Sequence, residues 1–227
     1  MREDSFTQKI FYRFFFPAVA ASVCLGLANL ADALCVGMVM GESALAAISL
    51  VSPIYMVFNV LDLGIAVGGS VAFAQLMGSG KIKQAVNVFR QMLLLALAVS
   101  VVLAILGEVF IEPLLLLLGT DPSQGEVYVM TRAYAVRLLA ATPLFFLNML
   151  FYYFLRCDDG ERRASVGLVV SNLLDVGLSF VFVLGFHMGI NGAVYSTIVG
   201  VGVSVLIYLP HFFRKANILS LKLAHPD

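Results

Sequence analysis

Three carboxylates lie inside long apolar stretches of this sequence, at Asp32, Asp62 and Asp175. A charged side chain at the centre of a bilayer costs about 2.5–3.5 kcal/mol on insertion scales, so an acid there indicates function by default. A carboxylate removed from water takes up a proton more readily, and its oxygens suit small hard cations. The three residues therefore indicate binding of protons, sodium ions or organic cations.

Asp175 has neutral polar neighbours at helical spacing. Asn172 and Ser179 lie three and four residues from it, so the three side chains share one helical face. A rise of about 1.5 Å per residue places Asp32, Ser179 and Thr197 at similar depth, with Asp175 one turn deeper. We predict that Asp32, Asn172, Asp175, Ser179 and Thr197 form a cation-coupling site for H⁺ or Na⁺, with no other metal and no cofactor.

A second group of polar residues is predicted to line the path of a substrate. Asn59 lies on the same face as Asp62, Asn29 precedes Asp32 by three residues, and Tyr195 adds a hydroxyl near the start of the last apolar stretch. The alternative for each aspartate is structural, since a hydroxyl or an arginine on a neighbouring helix can satisfy it. For Asp62 the two interpretations are close to balanced.

The composition sets the environment in which these acids act. Of the 227 residues 61% are apolar and 12% are charged, and the mean hydropathy is +0.97. A soluble domain of this size needs more polar surface, so a cytosolic enzyme, a nucleic-acid binder and a disordered segment are excluded. The sequence has no H-E-x-x-H, G-x-S-x-G or Walker motif, so we do not expect an enzyme.

The elements that must position the acids are apolar stretches long enough to cross a bilayer, which requires about 20 residues each. They predict an all-α integral membrane protein whose residues 1–227 form one six-helix lobe embedded in lipid. The predicted spans cover residues of about 11–40, 45–77, 88–111, 134–155, 164–186 and 190–213.

The loops predict the orientation. Twelve of the 14 basic residues fall before span one, between spans two and three, between spans four and five, or after span six, or lie in the first turn of the span that follows. Basic residues favour the cytoplasmic side, so we predict cytoplasmic N- and C-termini in the cell inner (plasma) membrane. The twelve are Arg2, Lys9, Arg13, Lys81, Lys83, Arg90, Arg156, Arg162, Arg163, Arg214, Lys215 and Lys222.

Several ordered segments resemble the multidrug and toxic compound extrusion (MATE) transporters. The resemblance covers about residues 10–213, and no single motif carries it; order and spacing do. It implies an exporter that exchanges H⁺ or Na⁺ for amphipathic, cationic drug-like compounds. The segments are residues 32–37, 41–47, 53–55, 64–68, 74–78, 154–160 and 189–197.

The resemblance also implies a site and a missing half. Prokaryotic MATE transporters carry an Asp on helix one, an Asn and an Asp four residues apart on helix five, and a Thr on helix six. Asp32 and Thr197 match the first and last, whereas Asp175 stands at the Asn position and Ser179 at the Asp position. MATE transporters have two six-helix lobes, so this chain is similar to the N-terminal lobe. A C-terminal lobe or a second copy would complete it.

Two alternatives remain open. A lipid-linked oligosaccharide flippase belongs to the same superfamily, but flippase cavities carry several arginines, and only Arg137 is a clear intramembrane candidate here. The other alternative is a membrane scaffold or membrane-embedded enzyme, against which the intramembrane acids and the missing catalytic motifs argue. We expect no nucleic-acid partner.

Overall fold

The computed structural model describes the backbone of residues 2–213 and of residue 219, and the side chains of residues 26, 37, 38, 41–213 and 219. Within that part of the chain the regular elements are helices. They are α1 (Arg2–Gly78), α2 (Ile82–Val109), α3 (Ile111–Leu117), a 3₁₀ turn (Pro122–Gln124), α4 (Glu126–Ala140), α5 (Thr142–Cys157), α6 (Glu161–Phe180), a π turn (Val181–Gly185) and α7 (Ile190–Phe213).

The helix α1 contains the first two predicted spans. Its backbone leaves the helical region at Gly41, where φ is 76° and ψ is −166°. Glycine adopts a positive φ without steric cost, so the chain can turn there between two helical segments. The side chains of predicted span one lie outside the described residues, apart from residues 26, 37 and 38.

Four described helical segments are long and apolar enough to cross a membrane, and a bent pair of helices makes a fifth. These helices confirm the predicted all-α integral membrane class. The four are Gly41–Gly78, Ile82–Val109, Glu161–Gly185 and Ile190–Phe213, and the pair is Glu126–Ala140 with Thr142–Cys157.

The bent pair differs from the continuous span predicted at about 134–155. Helices α4 and α5 meet at an angle of 50°. Pro143 lies in the first turn of α5, where its missing N–H and its ring permit a break between the two helices. The helical segment also begins at Glu126, before the predicted start of the span at about residue 134.

An aromatic cluster joins α1, α2, α5 and α7. The rings of Phe89 and Phe212 stack with centroids 5.4 Å apart, and the ring of Phe154 lies 5.0 Å from Phe89 and 5.5 Å from Phe73. All four side chains are fully buried. Aromatic pairs at such separations add stability beyond the area that they bury, so this cluster holds one end of the helices together.

A buried contact between a histidine and an aspartate lies close to this cluster. Nε2 of His211, near the end of α7, is 2.9 Å from Oδ2 of Asp158 in the connection between α5 and α6. The same carboxylate oxygen accepts a hydrogen bond from the backbone N–H of Leu219, whose side chain is fully buried. Leu219, six residues beyond the end of α7, is thereby linked to the α5–α6 connection.

At the opposite end, side-chain contacts fix α3 against α4. Glu112 on α3 accepts hydrogen bonds from the hydroxyl of Tyr128 and from Nε of Arg132, both on α4. These two hydrogen bonds and the positive charge of Arg132 lower the pKa of Glu112. Glu112 therefore stays ionised to lower pH than a free glutamate, and its ion pair with Arg132 persists over the same pH range.

Helices α6 and α7 pack closely along a stripe of small residues. Gly192, Ser196, Gly200 and Ser204 recur every four residues on α7, so they share one face. A Cβ at Gly200 would lie 2.7 Å from the backbone oxygen of Ser171 on α6. Small residues let two membrane helices approach to backbone contact, and this approach brings the polar face of α6 against α7.

Candidate functional site

The centre of the site is the carboxylate of Asp175 on α6, which faces α7. Its Oδ1 accepts a hydrogen bond from Oγ1 of Thr197 at 2.9 Å, and Oγ of Ser196 lies at the same distance. Two neutral hydroxyls therefore converge on one carboxylate oxygen. The predicted proximity of Asp175 and Thr197 is observed in the structure.

Ser179 enters the site through Ser196. The two hydroxyl oxygens are 2.7 Å apart, and both side chains are fully buried. When Ser196 donates to Asp175, its oxygen can still accept a hydrogen bond from Ser179. The order Ser179–Ser196–Asp175 is thus a chain of hydrogen bonds across the α6–α7 interface.

Sequence reasoning missed Ser196, although the sequence contains a signal for it. The stripe of small residues on α7 predicts the face that approaches another helix, and Ser196 is in its middle. The predicted site includes Thr197, its neighbour in sequence, but not Ser196. Position 196 faces α6 directly, whereas Thr197 lies at the edge of the interface and also lines a cavity.

A cavity of about 290 Å³ opens beside this cluster, and α1, α4, α5, α6 and α7 contribute to its walls. It brings together predicted site residues from three helices. Its lining consists of Tyr55, Phe58, Asn59, Asp62, Leu138, Thr142, Phe145, Phe146, Asn148, Met149, Leu168, Ser171, Asn172, Asp175, Thr197 and Val201.

A second cavity of about 440 Å³ shares part of this wall. Tyr55, Leu138, Phe145, Asp175 and Thr197 line both cavities. Together the volumes fall in the range of pockets that bind small organic molecules, about 300–1,000 Å³. Asp175 therefore lies between the two chambers, where a molecule that passes from one to the other would meet it.

Asp62 and Asn59 lie on α1 and line the first cavity. The side chain of Asp62 is only 5% exposed, and its Oδ1 has no hydrogen-bond partner among the described residues. The structural alternative requires a hydroxyl or an arginine that satisfies Asp62. Within the described part of the chain no such group bonds to Oδ1.

Tyr195 is placed elsewhere. Its hydroxyl oxygen accepts a hydrogen bond from Nε of Arg137 at 3.2 Å, and the guanidinium lies 5.7 Å from the centre of the tyrosine ring. It lines neither of the two cavities described above. Asp32 and Asn29, the predicted site residues of span one, have side chains outside the described residues.

This arrangement suits reversible binding of a cation rather than covalent chemistry. A carboxylate with two neutral hydroxyls beside it offers oxygen ligands of the kind that H⁺ and Na⁺ take. Across the described residues, histidine, cysteine, aspartate and glutamate side chains form no group of three that could hold a metal ion.

Comparison with known proteins gives the family. The MatE family model matches residues 17–181, which is most of the chain. The chain belongs to the MatE family. Its members are transporters rather than enzymes, which confirms the family resemblance and the expectation that the chain is no enzyme.

Named relatives of this MatE chain include transporters of different cargo. The chain is 26% identical over 208 residues to the probable multidrug resistance protein YoeA of Bacillus subtilis, and the match covers 90% of this chain and 44% of YoeA. It is 28% identical over 163 residues to an FAD transporter of Shewanella oneidensis, with 70% of this chain and 35% of that protein covered.

Solved structures agree with the fold. The chain superposes on the outward-facing conformation of a multidrug resistance MATE family transporter of the MOP superfamily with a TM-score of 0.82 and 29% identity. That alignment covers 91% of this chain and 45% of the other. This MatE chain thus spans about half the length of the relatives that it matches.

Proposed function

We propose that this chain is the N-terminal half of a cation-coupled antiporter that exports amphipathic, cationic compounds in exchange for H⁺ or Na⁺. The observation that carries the proposal is the convergence of Ser196 and Thr197 on Asp175 at the edge of a cavity of small-molecule size. A cation bound there would share a chamber with the exported compound. The binding of one would then alter the binding of the other.

The coupling site would contain Asp32, Asn172, Asp175, Ser179 and Thr197, as the sequence predicts, with Ser196 added from the structure. Asn172 supports this assignment because it lines the first cavity together with Asp175 and Thr197. Family resemblance alone supports Asp32. The proposed partners are membrane lipid, drug-like molecules and a second lobe, which is either a C-terminal half or another copy of this chain.

The proposed location is the cell inner membrane with both termini in the cytoplasm. The supporting observation is the distribution of basic residues, which places Arg156, Arg162 and Arg163 at one end of the helices and Arg132 at the other. A lone lobe would leave its cavity face without the second half of the transport path. We therefore expect that the chain acting as a monomer does not export drugs.

A direct test uses cation binding by the purified chain, since this step does not require transport. Binding of ²²Na⁺ should be saturable and should be displaced by acid, because Na⁺ and H⁺ use the same carboxylates. Asp175→Asn keeps the shape and removes the charge, so it should weaken binding at least tenfold, and Asp32→Asn should do the same. Asp121→Asn, in an exposed connection, is the matched control.

The outcomes divide clearly. Loss of ²²Na⁺ binding in both site variants, with the control unchanged, supports the coupling site. A site selective for H⁺ would show no ²²Na⁺ binding, but it would show proton uptake by an indicator dye that Asp175→Asn removes. If neither ion bound to the folded wild-type chain, the cluster would be structural.

A cargo with an acidic group is the second candidate, and Arg137 favours it. Two of its nitrogens donate to neutral partners, to the hydroxyl oxygen of Tyr195 and to the backbone oxygen of Ala133. An arginine held in this way could pair with a phosphate or carboxylate, as a flippase or an FAD transporter requires. Competition between an acidic and a cationic dye for the purified chain would separate the two candidates.

A further inference from the structure

The wall of the first cavity opposite Asp175 contains a second carboxylate. Asp62 comes from α1, whereas Asp175 comes from α6, and both line the same chamber. Of the two cavities, Asp62 lines the first, whereas Asp175 lines both. The two acids therefore occupy different positions along the path through the lobe.

The two carboxylates also differ in what satisfies them. Oδ1 of Asp175 has two hydroxyls at 2.9 Å, whereas Oδ1 of Asp62 has no hydrogen-bond partner among the described residues. The Asp62 side chain is nevertheless buried, with only 5% of its surface exposed. A buried polar atom without a partner is destabilising, so a ligand that donates to this oxygen gains an interaction that the described residues do not provide.

The surroundings of Asp62 fit an organic cation better than a bare metal ion. Tyr55 and Phe145 form an edge-to-face pair in the cavity wall, with ring centroids 6.4 Å apart, and Phe58 and Phe146 add aromatic surface. Aromatic faces attract cations and pack against flat aromatic molecules. A small inorganic ion would make no use of these four aromatic rings, whereas an organic cation with an aromatic body would contact both the rings and the carboxylate.

We propose that Asp62 binds the positively charged, N–H-bearing group of the exported compound, while Tyr55 and Phe145 hold its aromatic part. The inference rests on the proposed transport function, and it assigns the cargo and the coupling ion to different carboxylates of one cavity. Asn59, one helical turn before Asp62, also lines the cavity and offers a neutral oxygen beside the charge.

Equilibrium binding of ethidium to the purified wild-type chain tests this assignment. Ethidium has a permanent positive charge, amino donors and a flat aromatic body, and its fluorescence anisotropy reports binding without any ion gradient. Asp62→Asn should raise the Kd at least tenfold, and by more than Asp175→Asn does. Asp121→Asn is the charge-matched control on an exposed connection, and gel filtration with thermal unfolding verifies that each variant is folded.

A second variant protects the test against a failure of Asp62→Asn to fold. Tyr55 is 47% exposed, so Tyr55→Leu is tolerable for the fold, and it should weaken ethidium binding about threefold or more through the loss of the cation–aromatic contact. Unchanged ethidium affinity in Asp62→Asn would overturn the proposal. So would a larger loss in Asp175→Asn, or the absence of saturable binding by the wild-type chain.

The result is separable from that of the coupling site. Binding of ²²Na⁺ can fail while ethidium binding still depends on Asp62, in which case the lobe binds cargo without the proposed ion. The reverse outcome, ion binding through Asp175 with ethidium binding independent of Asp62, would leave the coupling site in place and remove the cargo site.

Discussion

Thr197 donates its hydroxyl hydrogen to Oδ1 of Asp175 across the interface of α6 and α7, at 2.9 Å. The donor and the acceptor belong to helices that are joined by a short connection and packed along their small residues. Any cation that binds Asp175 must compete with this hydroxyl or share the carboxylate with it. At the proposed coupling site, ion binding would therefore depend on the packing of α6 against α7, and the first two predictions test this dependence.

The hydroxyl of Ser196 should determine how strongly the site binds its ion. Ser196→Ala removes a hydroxyl 2.9 Å from Asp175 and takes a hydrogen-bond partner from Ser179. A hydrogen bond to a charged group contributes about 1.5–3 kcal/mol, so we expect the affinity for H⁺ or Na⁺ to change about tenfold or more. Binding of ²²Na⁺ or proton uptake by the purified chain measures it.

The matched control for this variant is Ser100→Ala. Ser100 is also fully buried, but its hydroxyl bonds only to the backbone oxygen of Leu97 in its own helix. Equal changes in ion affinity for Ser100→Ala and Ser196→Ala would show that any buried serine has this effect. The contribution of the hydrogen-bond chain would then be refuted.

The second prediction concerns the order of the acid and the hydroxyl on α6. The prokaryotic MATE transporters that this sequence resembles have Asn-x-x-x-Asp where this chain has Asp175 and Ser179. Asp175→Asn alone should impair ion binding. The further change Ser179→Asp should restore part of that binding, because the Ser179 and Ser196 hydroxyl oxygens are 2.7 Å apart and a carboxylate at position 179 would also lie beside Ser196. Ion binding by the single and double variants measures the recovery. A double variant no better than the single one would show that the carboxylate cannot act from position 179.

The sequence alone predicted much of this site, for identifiable reasons. Asp175, Asn172 and Thr197 were predicted because charged and amide groups are rare in lipid-crossing helices and helical spacing assigns them to faces, and the structure brings all three to one cavity. A serine inside an apolar helix is common, so the only signal for Ser196 is its place in the stripe of small residues on α7. That stripe predicts a face that approaches another helix, but the order of residues in one helix does not specify which helix packs there.

The bend between α4 and α5 was equally hard to predict. Pro143 is a residue at which a membrane helix can bend, but so are Pro53 and Pro210, which lie inside continuous helices. A proline permits a kink without requiring one, since neighbouring helices can hold the segment straight. The angle of 50° is therefore a property of the packing around Pro143.

The third prediction tests the close approach of α6 and α7. Gly200→Ala would place a Cβ 2.7 Å from the backbone oxygen of Ser171, whereas at Gly202 the nearest atom, on Leu144, is 3.9 Å away. Forced overpacking typically costs about 1–3 kcal/mol, so Gly200→Ala should lower the unfolding temperature, and Gly202→Ala should not. Thermal unfolding with a thiol-reactive dye, which reports the increased exposure of the half-buried Cys157, measures both. Equal unfolding temperatures would mean that the helices can separate at no cost.

The last prediction concerns orientation, which follows from charge. Ser79 lies in the connection between α1 and α2 close to Lys81 and Lys83, whereas Ser123 lies in the connection between α3 and α4 close to Asp121 and Glu126, and both serines are exposed. Because basic connections stay in the cytoplasm, a cysteine at position 123 should react with a membrane-impermeant maleimide in intact cells. A cysteine at position 79 should react only after the cells are opened. The native cysteines are first replaced by serine, and labelling of each protein in opened cells is the control for reactivity. Labelling at position 79 in intact cells would invert the topology, and it would place the basic α5–α6 connection outside the cell together with it.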